Sequence, residues 1–537
     1  MPAAGRHRWT PERSVAGKRN PWSIVGVISI ATFMVVLDAS IANVALAHIA
    51  GSLSVSYDEA TWVITSFLIA NAVIIPVSGW LADVIGRKRY YMISVALFTI
   101  SSFVCGISNS LTMLVVARIF QGIGGGGLTP VEQSMLVDTF PPEKRGPAFA
   151  AYGIVVIVGP IFGPTLGGWI TDALSWNWVF LINVPFGILS LVLVSMFVDE
   201  PEAIRRKSRE MRAHGLRMDF LGFALIALAL GCLEVTLDRG QRNDWFSSTT
   251  ICITAAVAAV SFLIFLPWEW TRKDPIVPIR MYLRRNFGIA NVFMLLMGVI
   301  VFGTTQFIPQ FLQEVMGYSA TDAGLALTMG GLATLLVMPL AGFLTGRVDP
   351  RILIGSAFAI QVAAMWNLSH FTTQISFNDA AFARLIQSIG LPFLFVPVSN
   401  AAYIGLAPEE SNQASALLNV SRNLGGTFGI SLVQTMLAQR AQVHQSQYVE
   451  TLNPLNPNYA HGIAQITHAL VGRGIEQAQA GKMAAALLYR QLLQQSAMLS
   501  YIDVFHTLMI LVALALPLTL LMQGPGKGGA GTAAAAP

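Results

Sequence analysis

The chain has 537 residues, of which 54% are hydrophobic and only 11% are charged. Soluble domains carry about 25% charged residues, so this composition excludes an ordinary soluble enzyme or nucleic-acid-binding protein. The net charge of +5 is spread too thinly along the chain for polyanion binding. The composition predicts a protein that lies in the lipid bilayer.

Apolar runs of roughly the length of a membrane-spanning helix recur along the whole chain. The fourteen runs lie near residues 24–46, 60–82, 90–107, 111–137, 148–170, 177–197, 219–237, 249–270, 287–311, 323–345, 352–372, 380–402, 414–438 and 503–523. Most of the lysines and arginines fall in segments on the N-terminal side of the membrane, which predicts that both termini are cytoplasmic. The first run is too long for the core of a signal peptide, so we interpret it as an uncleaved span.

The chain also repeats itself. The segment that starts at Ala117 recurs at Ala383, and the segment that starts at Gly159 recurs at Gly425, both at an offset of 266 residues. A third match, from Gly79, keeps the same order at nearly the same offset. Runs one to six therefore map onto runs nine to fourteen, which predicts two similar six-helix bundles that rock against each other.

The predicted fold class is an all-α polytopic membrane protein with two six-helix bundles and two extra central transmembrane helices. Its predicted segments are a cytoplasmic basic tail at 1–22, an N-terminal bundle at 23–198, a linker with the two extra spans at 199–286, a C-terminal bundle at 287–523 that includes a long outer loop at 439–502, and a disordered tail at 524–537.

Two charged residues lie at equal depth in runs one and four. Asp38 and Arg118 each lie about 10–12 Å from the outer end of their run. An acid inside a span is costly and is by default functional. If the two spans are neighbours, the residues can pair, and the pair then serves proton coupling or is a purely structural ion pair.

Glu132 lies fourteen residues after Arg118, which places both on nearly the same face of a continuous helix. One hypothesis is that Glu132 takes up a proton or binds a cationic group of a substrate. The alternative is an acid at the end of the helix that water reaches.

Small residues recur four apart in run five, at Gly159, Gly163 and Gly167, with Pro160 and Pro164 among them. Such spacing allows helices to approach closely, and the prolines interrupt the hydrogen-bond ladder. The pattern indicates a seam that bends as the bundles rock, or plain tight packing.

Several charged residues lie outside these patterns. Asp83 and Arg87, at the inner end of run two, are interpreted as a charge latch between the halves or as a consequence of the positive-inside rule. Arg384 and Arg422 have no obvious acidic partner in the second half, and bind either backbone carbonyls or anionic groups of a substrate. The sequence has no nucleotide-binding or hydrolase motif, so no enzymatic activity is expected.

Several motifs resemble those of a known family. The stretch from Gly79 to Arg89 resembles the loop signature of the major facilitator superfamily, and run five resembles its antiporter motif. Leu37 to Ala45 resembles the first-span signature of its fourteen-span drug:proton antiporters. Further stretches look like the EmrB subgroup of multidrug exporters: Thr61 to Phe67, Leu237 to Gly240 with Asp244 to Phe246, Phe311 to Gly324, and Leu452 to Asn458.

This resemblance implies a proton-driven exporter of amphipathic or aromatic toxic compounds in the bacterial inner membrane. It implies a periplasmic membrane-fusion adaptor and an outer-membrane channel as partners, and no cofactor or metal beyond the proton gradient. It implies these roles: proton coupling for Asp38 and Arg118, to which we add Glu132; a conformational latch at Gly79, Asp83, Gly86, Arg87 and Lys88; the antiporter motif at Gly159, Pro160, Gly163, Pro164 and Gly167.

Three other hypotheses stay open at this point. The chain could export one metabolite, import a substrate, or be a membrane receptor or membrane-embedded enzyme. The duplicated bundles and the absence of a catalytic motif argue against the last of these. The outer loop at 439–502 is expected to contact a periplasmic adaptor or to be a solvated appendage.

Overall fold

The computed structural model describes residues 20–200, 202–213, 219–272, 275–453 and 456–523. The predicted disordered tail and all but the last three residues of the predicted basic tail lie outside these ranges. The described part of the chain is built from α-helices, and all fourteen predicted apolar runs fall on helices.

The first half contains nine helices among the described residues. They are α1 Pro21–Ser52, α2 Tyr57–Ala60, α3 Trp62–Ile85, α4 Arg87–Gly106, α5 Leu111–Gly126, α6 Leu128–Thr139, α7 Pro142–Ala173, α8 Trp178–Leu181 and α9 Asn183–Phe197. Local sequence sets their ends: the side chain of Asn20 caps α1 and accepts from the backbone N–H of Trp22, with Pro21 in the first turn. The fourth run is divided between α5 and α6, which meet at Gly127.

Three helices lie between the halves in chain order: α10 Glu202–Ala213, α11 Phe220–Arg239 and α12 Thr249–Thr271. Helix α11 packs on α12 and contacts both halves. On α11, Asp238 accepts a 2.6 Å hydrogen bond from Thr65 on α3. One turn earlier, Glu234 accepts from Thr427 of the second half, with distances of 3.0 and 3.2 Å to its two oxygens.

The second half contains the remaining helices of the described chain. They are α13 Arg285–Glu314, α14 Ala320–Leu344, α15 Pro350–Ser369, α16 Phe377–Ala402, α17 Ser411–Thr451, α18 Pro457–Val471, α19 Gln477–Ala513 and α20 Leu516–Thr519. Within the described residues, twelve helical segments are long and apolar enough to cross a membrane. The two predicted runs that are not among them lie in α7 and α17, which have 32 and 41 residues.

Most of the segment 439–502 is helical. Helix α19 agrees with the helical propensity that the sequence shows from Ile475 to Leu493, whereas the helices before it stand where a loop was expected. Helices α17 and α19 both continue into this segment and pack against each other, and α18 packs on α19. Gln445 on α17 donates a 2.9 Å hydrogen bond to the Tyr489 hydroxyl on α19, and Gln494 donates to the carbonyl of Val315 at 2.7 Å. Its alanine and glutamine content favours helices, and packing on the ends of the spans extends them.

Candidate functional site

The predicted pairing of Asp38 on α1 with Arg118 on α5 is confirmed. Arg118 Nη1 lies 2.5 Å from Asp38 Oδ2, and both residues are fully buried. The pair joins two helices of the first bundle inside the apolar part of the fold. A buried ion pair needs further hydrogen bonds to offset its loss of water.

Neutral neighbours supply those hydrogen bonds. Gln121 and Asn183 donate to Asp38 Oδ1 at 2.9 and 2.8 Å. Arg118 Nε donates to the carbonyl of Val63 at 3.0 Å, and Nη1 also donates to the side chain of Gln121 at 2.8 Å. The carboxylate of Asp38 thus accepts hydrogen bonds from three side chains. Gln121 lies within the repeated motif, which was the only sequence signal for it, and nothing in the sequence singled out Asn183.

Glu132 on α6 is fully buried. The alternative of an acid at the end of the helix that water reaches is therefore wrong for this state. One oxygen of Glu132 accepts from the hydroxyl of Thr32 on α1, and that hydroxyl lies 3.0 Å from the Tyr152 hydroxyl. Its other oxygen, Oε1, has no hydrogen-bond partner among the described residues. Glu132 and Arg118 both face α1, as the spacing predicted, although the helix is interrupted between them.

The second-half arginines have different surroundings. Arg422 on α17 is half-buried, and its Nε has no hydrogen-bond acceptor among the described residues. Arg384 on α16 lies within the second bundle and donates to Gln387, Thr304 and Thr305 at 2.7, 3.3 and 3.2 Å.

The predicted latch residues Asp83 and Arg87 connect the two halves at the face where α1 begins, here called the N-terminal face. Asn412 on α17 donates a 2.6 Å hydrogen bond to Asp83 Oδ1. Arg87 is paired with Asp138 at the end of α6 and donates to the Ser411 hydroxyl at 3.0 Å. These buried polar contacts hold α3, α4 and α6 against α17.

The other predicted latch residues do different things. The Gly79 backbone lies so close to α17 that a Cβ would come within 2.9 Å of the Asn412 oxygen. Gly86 has φ of +99°, a conformation that favours glycine, in the turn between α3 and α4. Lys88 donates to the carbonyl of Ser195 on α9 at 3.0 Å, so it contacts its own half. One residue further along a helix rotates a side chain by about 100°, which turns Lys88 away from the partner of Arg87.

The small residues of run five pack against α1. A Cβ at Gly159, Gly163 or Gly167 would contact Val36, Ser40 or Ile41, at 2.8, 2.2 and 2.9 Å. The seam is therefore inside the first bundle. Helix α7 runs from Pro142 to Ala173 as one helix. Pro160 and Pro164 have no N–H to donate to the ladder, and their side chains lie outside the described residues, so a bend at this seam stays a prediction.

Residues 28–430 match the family model described as Major Facilitator Superfamily. The multidrug export protein EmrB of Haemophilus influenzae is 41% identical over 80% of this chain and 83% of its own length. The EmrB of Escherichia coli K12 is 39% identical over 89% and 90%. The solved structure of the proton:xylose symporter XylE has a TM-score of 0.55 at 16% identity, covering 88% of this chain and 95% of its own, which supports the fold alone.

The fold and the buried polar site define a polytopic membrane transporter, a class that carries out no enzymatic chemistry. The chain belongs to the major facilitator superfamily and, within it, to the EmrB-like group.

Proposed function

We propose that this protein exports amphipathic or aromatic toxic compounds across the bacterial inner membrane in exchange for protons. The observation that carries this proposal is the fully buried Asp38–Arg118 pair, a titratable acid held by a cation inside a transporter fold. The names of its EmrB relatives support the export of several compounds. Both termini would face the cytoplasm, as the distribution of basic residues predicts.

The fourth span, which is divided into α5 and α6, links the partner of Asp38 to the contacts between the halves. Arg118 lies on α5, and Glu132 and Asp138 follow on α6. Asp138 is the partner of Arg87 at the N-terminal face. In our proposal, a proton that reaches Asp38 neutralises it and leaves Arg118 without its counter-charge. Because an unpaired buried charge is unfavourable, Arg118 must change its partners, and the same span transmits this change to the latch.

The contacts between the two halves indicate on which side of the membrane the described state is open. Besides the Asp83 and Arg87 contacts, Asn419 on α17 donates to Gln133 on α6 at 2.8 Å. These contacts close the N-terminal face. We infer that this state releases substrate to the opposite side, which is periplasmic in the predicted orientation.

We further propose that the helical segment 439–502 docks a periplasmic membrane-fusion adaptor, as part of a pump that includes an outer-membrane channel. Its support is the extension of α17 and α19 beyond the predicted spans, with α18 packed on α19. Residues such as Tyr448, Val471 and Leu487 are exposed on this segment, although they are large and apolar.

The decisive test is Asp38→Asn. The variant keeps the shape of the side chain and removes the charge that a proton neutralises. We expect uphill substrate movement under an imposed pH gradient in proteoliposomes to be lost, while substrate exchange without a gradient persists. The exposed Asp172, at the far end of α7, gives the matched control Asp172→Asn, which should transport like the wild type.

Size-exclusion chromatography of both variants shows whether each is folded. Uphill transport by Asp38→Asn at the wild-type rate would remove Asp38 from the coupling mechanism. A wild-type protein that moves only one compound in a broad panel would instead support the dedicated metabolite exporter.

A further inference from the structure

The duplication places a threonine of the second half where the first half has its buried acid. The offset of 266 residues maps Arg118 onto Arg384 and Gln121 onto Gln387. The same offset maps Asp38 onto Thr304. The second bundle therefore keeps the arginine and the glutamine of the first and lacks its carboxylate.

The two arginine sites have the same local geometry. Each arginine lies seven residues after the first residue of its helix, α5 or α16, and donates to the glutamine three residues on, at 2.8 Å for Arg118 and 2.7 Å for Arg384. In the first half, Arg118 Nη1 also reaches the carboxylate of Asp38 at 2.5 Å. In the second half, the group at the corresponding position is the hydroxyl of Thr304, to which Arg384 Nη1 donates at 3.3 Å.

Arg384 consequently has a buried charge without a counter-charge in the described chain. Its side chain forms no ion pair with any described acid, and its Nε has no hydrogen-bond acceptor among the described residues. Burial of a charge without a partner is strongly unfavourable. An arginine does not escape this cost by losing its proton, because its guanidinium stays charged.

The site is buried, but it lies beside residues that are more exposed. Arg384 is 7% exposed, whereas Arg118 is 0% exposed. The adjacent Thr305 is half-buried and the next residue, Gln306, is exposed. The Thr304 hydroxyl already donates to the carbonyl of Ile300 at 2.7 Å, whereas the Thr305 hydroxyl accepts from Arg384 and has its own proton free to donate.

We propose that Arg384 and Thr305 bind the carboxylate of an amphipathic organic anion, which supplies the counter-charge that Asp38 supplies in the first half. Arginine suits this role because its planar guanidinium donates several hydrogen bonds to one carboxylate. The assignment of this anion as a transported substrate rests on the export function proposed above.

The test measures binding of two matched fluorescent probes to the purified full-length protein. 1-Pyrenebutyrate carries a carboxylate, and 1-pyrenebutanol has the same aromatic body without charge. We expect the wild type to bind the carboxylate roughly tenfold more tightly, the effect of one charge-assisted hydrogen bond. Arg384→Gln should bind both probes equally.

Thr304→Asp provides the sharper comparison, because it places an internal carboxylate where Asp38 lies in the first half. It should abolish the preference for the carboxylate probe and leave the affinity for the alcohol unchanged. Thr304→Asn has nearly the same shape without the charge, and should keep most of the preference. Equal binding of the two probes by the wild type, or an unchanged preference in Thr304→Asp, would overturn the proposal.

Two further measurements identify the occupant. Titrations at low and at high chloride concentration, and with and without phosphatidylglycerol, should give the same preference for the carboxylate probe. Competition by chloride or by the lipid would assign the site to that anion and overturn the proposal that it binds a substrate carboxylate. Flux of both probes in proteoliposomes separates the binding proposal from the proposed export function. If the protein bound the carboxylate probe selectively but transported neither probe, the export function alone would be contradicted.

Discussion

Arg118 is held by contacts on every side of its guanidinium. It has an ion pair with Asp38, hydrogen bonds to Gln121 and to the carbonyl of Val63, and the ring of Phe67 with its centroid 4.1 Å from Cζ. The planar, forked group satisfies these partners simultaneously, which a single ammonium group cannot do. The site therefore requires the shape of the arginine side chain as well as its positive charge.

The variant Arg118→Lys should lose the bond to Val63 and the stacking on Phe67 while keeping the positive charge. We expect it to destabilise the protein by roughly 2 kcal/mol, the scale of one or two charge-assisted hydrogen bonds, and to lower the transport rate. Thermal unfolding of the purified protein checks the stability change. Arg206→Lys, at an exposed arginine of α10, is the control and should unfold like the wild type.

At the scale of helices, the close contact between α1 and α7 depends on glycines of α7, which have no side chain. The variant Gly163→Ala adds a Cβ that would lie 2.2 Å from the Ser40 hydroxyl. The two helices must separate to admit it, and overpacking of this kind costs about 1–3 kcal/mol. We expect a lower unfolding temperature and slower transport.

Gly168 on the same helix is the matched control, because a Cβ there has nothing within 4 Å. Gly168→Ala should be neutral or slightly stabilising, since alanine favours a helix by up to about 1 kcal/mol over glycine. Equal unfolding temperatures for the two variants would contradict the close approach of α7 to α1.

The approach of α3 to α17 gives a prediction about conformation. The variant Gly79→Ala places a Cβ within 2.9 Å of the backbone of both Asn412 and Gln413. This pushes the halves apart at the N-terminal face and should shift the population toward a state open on that face. Thiol labelling of a cysteine introduced at Ala414, a buried residue of α17, should become several-fold faster in a protein whose three natural cysteines are replaced by serine.

The control for this labelling experiment is Gly51→Ala near the end of α1, where an added Cβ meets nothing within 4 Å. It should leave the labelling rate unchanged. A Gly79→Ala protein that labels like the control would show that the contact does not restrain the halves.

At the scale of the whole molecule, the segment 439–502 separates into two parts. The continuations of α17 and α19 are hydrogen-bonded to each other, and α19 is also hydrogen-bonded to Val315. Among the described helices, α18 packs extensively only on α19. Replacement of residues 452–476 by a short Gly/Ser linker therefore removes α18 and spares the other two helices.

We expect this deletion to preserve folding and transport in proteoliposomes, because no candidate site residue lies in it. Adaptor capture and whole-cell resistance should fall. Both are measured on the same variant, beside a version in which only Asn453 to Asn456 are changed to Gly and Ser. Unchanged adaptor capture would contradict the docking role, and lost vesicle transport would assign α18 a structural one.

Some of this architecture was predictable from local patterns. The apolar runs locate the helices because the bilayer and the bundle interior both require apolar side chains over a helical length. The Asp38–Arg118 pair was predictable as well, since charges at equal depth in neighbouring spans attract each other across an apolar medium.

The amides around that pair were not predictable, and neither was the orientation of Lys88. A glutamine or asparagine in an apolar run has the same local pattern whether it faces a ligand, a backbone carbonyl or another helix. Asn183 and Asn412 acquire their partners 145 and 329 residues away in the chain.

The sequence by itself therefore determined the helices, their duplication and the buried Asp38–Arg118 pair, because these depend on hydropathy and depth along the chain. Only the tertiary structure decided which neutral groups complete the pair, that α17 closes the N-terminal face, and that Arg384 donates to Thr304 and Thr305. These features depend on side chains that distant helices bring within hydrogen-bond distance, and local sequence carries no record of that distance.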